Sequence, residues 1–140
     1  MEANTKMKIA NFITLKAKPG QENNLAEFLA GGAKAVAATE PKTLSWFSVR
    51  IDTTTFAIID FFADQSGQDA HVGGQVAAAL KAKADQLIVG GWENGVLKHF
   101  QVMEVLSAAI EFLDLFGTAF FIADKSRSYR FVDFFRSIEF

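Results

Sequence analysis

The sequence predicts an α+β protein: a ferredoxin-like βαββαβ chain with a four-stranded antiparallel sheet, followed by a C-terminal helical extension. Three observations predict it. A strand-helix-strand pattern occurs twice in succession. The two middle strands are apolar on both alternating faces, so each face of the sheet needs a cover. The last stretch, 107–140, holds eight of the fifteen Phe and differs in character from everything before it. The domain boundaries read from this are 1–106 for the core and 107–140 for the extension.

The first strand runs from Lys8 to Lys18. Ile9, Asn11, Ile13 and Leu15 share one face, and Ala10, Phe12 and Thr14 the other. Pro19-Gly20 ends it, because proline cannot continue a ladder and glycine supplies a turn. A helix follows from Gln21 to Ala38, with Leu25, Phe28, Leu29, Gly32, Ala33, Val36 and Ala37 at helical spacing. Gly32 on its apolar face marks a place where something approaches closely. Pro41 stops the helix.

Strands two and three lie in Thr43–Ile51 and Phe56–Phe62, joined by a Thr-rich corner. Ser66-Gly-Gln-Asp69 has the acidic form of a capping box and opens a second helix that reaches about Leu87. Val72, Val76, Leu80, Ala84 and Leu87 form its ridge, and Gly90-Gly91 breaks it. Val96 to Leu106 is the fourth strand. In the extension, Ile110, Leu113, Phe116 and Phe120 suit one helix, and Phe131, Phe134, Phe135 and Ile138 suit another.

Half of the 140 residues are apolar, 21% are charged and the net charge is −2, a globular composition in one core domain. No clustered basic excess marks a nucleic-acid binder. With no cysteine, disulfides, thiolate metal sites and a thiol nucleophile are excluded. The polar N-terminus has no signal-peptide core, and the longest apolar run near the end falls short of a membrane span. The charges of the extension nearly cancel, which argues against attraction to an anionic membrane. The expectation is a soluble cytoplasmic protein without a membrane or nucleic-acid partner.

Several residues could carry chemistry. His71 flanks the ridge of the second helix, and the small residues Gly74 and Ala78 leave space beside its imidazole. It is a candidate base, or a half-exposed histidine at a helix start. Asn11 shares a face with Ile9, Ile13 and Leu15. A buried asparagine needs partners, and a ligand oxygen could be one, unless the residue sits at an edge or bulge. Asp60, if buried, is a perturbed acid or half of an ion pair with Arg50. Trp46 and Phe62 could wall a flat ligand or simply fill the core. His99 fits the sheet edge. With two histidines and no metal-ligand spacing, a metal site is not expected.

Residues 8–106 resemble the antibiotic biosynthesis monooxygenase family, dimeric α/β-barrel proteins that include quinol monooxygenases. Lys18-Pro19-Gly20-Gln21 is similar to the family's basic-Pro-Gly corner, and Leu44–Arg50 to its second strand. Asp60-Phe61-Phe62-Ala63-Asp64 stands where many members have Glu-x-Trp-x-Asp. Ala70-His71-Val72 is similar to the Ala-His-Leu opening of the second helix. Phe62 departs from the family's Trp, so a role of that indole does not carry over, and the extension exceeds the family's usual length.

The resemblance implies a homodimer whose two sheets close a barrel; the alternative is a monomer whose own extension covers the second face. It also implies a cofactor-independent monooxygenase that oxidises a quinol or polycyclic phenol with O2. In that reading His71 is base or orienter, Asn11 a donor, Asp60 a further acid/base group, and Trp46, Phe62, Gly74 and Ala78 contact substrate. Haem degradation does not fit, because Lys81 stands where the haem-degrading members have their axial histidine. The competing readings are a non-catalytic dimeric module that binds a hydrophobic small molecule, and an extension that is itself the functional part.

Overall fold

The computed structural model describes residues 6–110. The elements follow in the order β1 (Ile9–Lys16), α1 (Glu22–Thr39), β2 (Thr43–Arg50), β3 (Thr55–Phe62), α2 (Gln65–Val72), α3 (Gln75–Leu87) and β4 (Phe100–Glu104). The predicted helices of the extension lie outside the described residues, apart from 107–110, which form neither helix nor strand.

The four strands make one antiparallel sheet in the order β2-β3-β1-β4. This is the ferredoxin-like order, with the two longest ladders on the apolar middle strands. Asp52 builds the corner between β2 and β3: its Oδ1 accepts from the backbone N–H of Thr54 and Thr55 at 2.9 and 2.8 Å. Those bonds hold the Asp52 carboxyl below its usual pKa.

The core lies between one sheet face and the helices. Leu15, Leu25, Leu29, Phe56, Ala84 and Ile88 are buried there together. Leu25 and Leu29 come from α1 one turn apart, and Leu80, Ala84 and Leu87 from α3. Gly32 does admit a close approach. A Cβ there would stand 3.0 Å from the Trp46 ring, so the absence of a side chain lets the indole lie against α1.

Two elements differ from the sequence expectation. The second helix is two helices, α2 and α3, broken at Gly73-Gly74. A Cβ at Gly74 would lie 2.9 Å from the Ala70 carbonyl, so the chain can fold back on α2 only without one. The cap of α2 is Asp64, not Ser66: its carboxylate accepts from Gly67 N–H at 3.0 Å and from the Ser66 hydroxyl at 2.6 Å. The fourth strand is shorter than Val96–Leu106. Gly91–Val96 forms a π-helical turn and Leu97–His99 a 3-10 turn, so the strand starts at Phe100. Gly90 and Gly91 have φ of 85° and 64°, a left-handed entry to that turn that glycine adopts without strain.

Candidate functional site

A row of cross-strand neighbours makes the floor of the site. Trp46 pairs with Asp60 and Asp60 with Asn11, so the three side chains stand on one face, across β2, β3 and β1. Helices α1 and α3 roof this face and leave a cavity of about 500 Å3. Phe28, Gly32 and Ala35 of α1 wall it on one side and Val76 and Leu80 of α3 on another. Trp92 and Val96 of the π-helical turn and Phe100 complete the walls. A π-type distortion often marks a functional site, and here it brings Trp92 to the cavity. The Lys81 ammonium lies 5.9 Å from the Trp92 ring centroid, so the lysine supports that wall.

At the floor the cavity becomes polar. Asp60 has no solvent exposure and Asn11 has 1%. Asn11 Oδ1 accepts from Gln68 Nε2 at 2.8 Å, and Gln68 lies on the buried side of α2. The Nδ2 group of Asn11 has no hydrogen-bond partner among the described residues. Leaving a buried donor unmatched costs about 1–3 kcal/mol, so its presence beside a cavity points to a ligand acceptor. Asn11 sits mid-strand between β3 and β4, at neither an edge nor a bulge.

His71 occupies the last turn of α2, 8% exposed. Its Nε2 lies 3.1 Å from Asp60 Oδ2, an ion-pair distance without hydrogen-bond alignment. Its Nδ1 lies 2.5 Å from Glu40 Oε1. Burial pushes the imidazole pKa down, but the facing carboxylates of Asp60, then Glu40, outweigh it, and the net shift is upward from 6.5. The carbonyl end of α2 favours the same cation. Asp60 therefore pairs with His71 and not with Arg50, whose guanidinium stacks on Phe56 at 4.8 Å.

The remaining expected contacts divide. Trp46 lines the cavity. Phe62 does not: it is fully buried beneath α2, and its ring supports His71 from behind, with centroids 5.4 Å apart. Gly74 borders a second, smaller cavity beside Glu40. Ala78 is exposed and lines neither, because the one-turn spacing from His71 holds only along a continuous helix and the chain breaks at Gly73-Gly74. His99 is exposed outside the cavity.

Glu40, Gln68 and Trp92 belong to the site but do not stand out in the sequence. Glu40 carried one usable signal. It caps the C-terminal end of α1, where a carboxylate opposes the helix dipole, and such a misplacement asks for a compensating cation. Among the described residues no three His, Cys, Asp or Glu side chains converge as a metal's ligands would; Glu40, His71 and Asp60 lie in a row with the imidazole between the carboxylates.

No family model matches the sequence, and no curated protein matches it. Solved structures do. A Chloroflexus aurantiacus protein assigned to the antibiotic biosynthesis monooxygenases superposes with a TM-score of 0.57 at 16% identity, over 74% of this chain and 97% of that one. A Caulobacter crescentus protein of the same assignment gives 0.59 at 16%, over 73% and 92%. The chain thus has the antibiotic biosynthesis monooxygenase fold. A Nitrosomonas europaea protein of unknown function matches at 39% identity with a TM-score of 0.68, over 76% of this chain and 97% of that one. The chain belongs to the family of that protein.

Proposed function

We propose that the cavity binds a flat aromatic with a phenolic hydroxyl and that the protein oxidises it with O2, without a cofactor. One observation carries this reading. Asp60 and the free N–H of Asn11 stand side by side at the polar floor of an otherwise apolar cavity, and neither Asp60 oxygen has an aligned hydrogen-bond donor among the described residues. A hydroxyl placed there meets an acceptor for its proton and a donor for its oxygen.

Asp60 is then the base. Both nitrogens of His71 already face carboxylates, and its raised pKa favours the protonated ring, so it orients Asp60 and balances its charge. The phenol proton passes to Asp60, and Asn11 holds the phenolate oxygen. The electron-rich anion gives one electron to O2, the two resulting radicals combine into a peroxide anion, and Asp60 returns its proton to make this the hydroperoxide. Loss of water leaves one oxygen atom on the ring, now a hydroxyquinone. The substrate supplies every electron. The walls, Trp46, Phe28 and Trp92, keep the anion dry.

The second face of the sheet supports a homodimer. Phe47, Val49 and Met103 are exposed there beside Phe12, Ile59 and Phe61, and no element among the described residues covers them. Burying several hundred Å2 of such surface at roughly 25 cal/mol per Å2 contributes on the order of 10 kcal/mol before the entropy of association.

The test is O2 uptake with a reduced naphthoquinone as substrate, beside anaerobic binding of the same compound. The wild-type protein is expected to consume O2 faster than the spontaneous reaction. Asp60→Asn is expected to lower that rate by about 10²-fold or more while remaining folded. Tight anaerobic binding with no acceleration of O2 uptake would leave a binding module in place of an enzyme.

A further inference from the structure

Helix α2 meets both polar residues of the cavity floor. Gln68 and His71 are three residues apart, on its buried side. His71 faces Asp60, Gln68 faces Asn11, and Asp60 and Asn11 are cross-strand neighbours. The bond to Asn11 is one link in a row of side-chain amides. Gln65 Nε2 donates to Asp69 Oδ1 at 2.8 Å and also to Gln68 Oε1. Gln68 Nε2 donates to Asn11 Oδ1 at 2.8 Å, and Asn11 Nδ2 has no partner among the described residues.

This row has one direction. A side-chain amide carries an oxygen that accepts and an NH2 that donates, and a turn about its last bond exchanges them. A carboxylate only accepts, so Asp69, exposed on α2, takes the NH2 of Gln65. The same nitrogen meets Gln68, which must answer with its oxygen. The NH2 of Gln68 is thereby turned to Asn11, which accepts through Oδ1 and keeps Nδ2 for the cavity it lines. Gln68 itself is 6% exposed and does not line that cavity.

We propose that Gln68 determines specificity: by holding Asn11 with its N–H toward the cavity, it makes the site take an aryl hydroxyl and reject the matching aryl amine. The proposal rests on the function proposed above, which puts the ligand's polar atom between Asn11 and Asp60. A hydroxyl satisfies both neighbours, since its O–H donates to Asp60 and its oxygen accepts from Asn11. An aryl amine brings two donors and a lone pair drawn into the ring, so it sets donor against donor at Asn11. A reversed Asn11 would present Oδ1 beside Asp60, and a site with two acceptors would favour the amine. Mismatched polar groups in a dry site discriminate more sharply than a missing apolar contact does. Gln68 touches no ligand and acts through Asn11, as a positioning residue.

The experiment compares binding of 4-nitrophenol and 4-nitroaniline, two probes of nearly the same shape, by absorbance titration. The wild-type protein is expected to prefer the phenol by about tenfold or more. Gln68→Glu puts an acceptor where the Gln68 NH2 stood and still accepts from Gln65, so Asn11 is expected to turn its NH2 away from the cavity. The preference is then expected to move toward the amine by about tenfold or more. Gln68→Met has similar length, no hydrogen bond to offer and no added charge. It is expected to lose roughly threefold of the preference, a change in selectivity that lost packing alone would not give. A neutron structure of the deuterium-exchanged wild-type protein shows directly which end of Asn11 carries the deuterons, and the cavity side is expected. Asn11 Oδ1 on the cavity side, equal binding of the two probes by the wild-type protein, or a Gln68→Met variant with undiminished preference would overturn the role of Gln68 and leave Asp60 as base. If Gln68→Glu does not fold, the methionine variant and the neutron structure decide. A wild-type protein that binds neither probe would overturn the function beneath the proposal, while the deuterons on Asn11 still report its orientation.

Discussion

The two faces of the sheet carry inverted chemistry. The face under the helices is shielded from water, yet Asn11 and Asp60 are built into it at 1% and 0% exposure. On the opposite face stand Phe47 at 52%, with Val49 and Met103 also exposed, and Phe61 meets Phe47 edge to face at 6.4 Å. Folding stability alone would reverse this arrangement. Buried polar groups cost free energy unless they are matched, and exposed apolar surface gains nothing until something covers it. The proposed ligand site on one face and the proposed dimer contact on the other would account for the inversion.

The largest effect is expected from reversing the open face. Phe47→Asp with Val49→Lys places charge where the dimer reading needs apolar contact. The variant is expected to sediment as a monomer at concentrations where the parent is a dimer, a weakening of about 10²-fold or more. A parent that sediments as a monomer would remove the second sheet from the comparison.

The covered face is probed more gently at Gly32. Alanine there adds a Cβ at 3.0 Å from the Trp46 ring, so the indole must shift by a few tenths of an ångström. Replacing a helical glycine also gains up to about 1 kcal/mol of helix propensity. Stability is therefore expected to hold, while affinity for the reduced naphthoquinone falls by roughly tenfold. Titration calorimetry beside thermal melting separates the two. Unchanged affinity would place the ligand away from Trp46.

The smallest effect is the pH dependence of the polar row. The folded-state pKa of His71 lies above its unfolded value of 6.5. Its protonated form binds the two carboxylates, so that contribution is fully present below pH 6.5 and is lost as the pH rises through the raised pKa. The melting temperature is expected to decline across that window in the parent, and His71→Gln is expected to flatten the decline. Equal slopes in both proteins would mean that the carboxylates do not hold the imidazolium.

Much of this was legible in the chain, and what was not has a common cause. The two-faced apolar strands, the helix that ends at Pro41 and the Gly90-Gly91 break are local patterns, set by side-chain alternation and by backbone freedom, so the order of elements along the chain follows from them. Gly32 on an apolar helix face signalled a close neighbour, and Asn11 and Asp60 on apolar strand faces marked candidates that the fold places side by side. A continuous second helix was the misleading inference. Gly73 and Gly74 allow the chain either to continue or to fold back, and packing over Asp60 and Phe62 selected the break. That choice turned Ala78 outward and put His71 at a helix end.

What the sequence by itself determined is the alternation of strand faces and the helical ridges, because those depend on residues near one another in the chain. Only the tertiary structure decided that Glu40, thirty-one residues before His71, would face the far side of its imidazole. It also decided that Arg50 would stack on Phe56 and leave Asp60 to the histidine. Charge partners are selected by distance in space, and no periodicity in a sequence records which helix end will meet which strand.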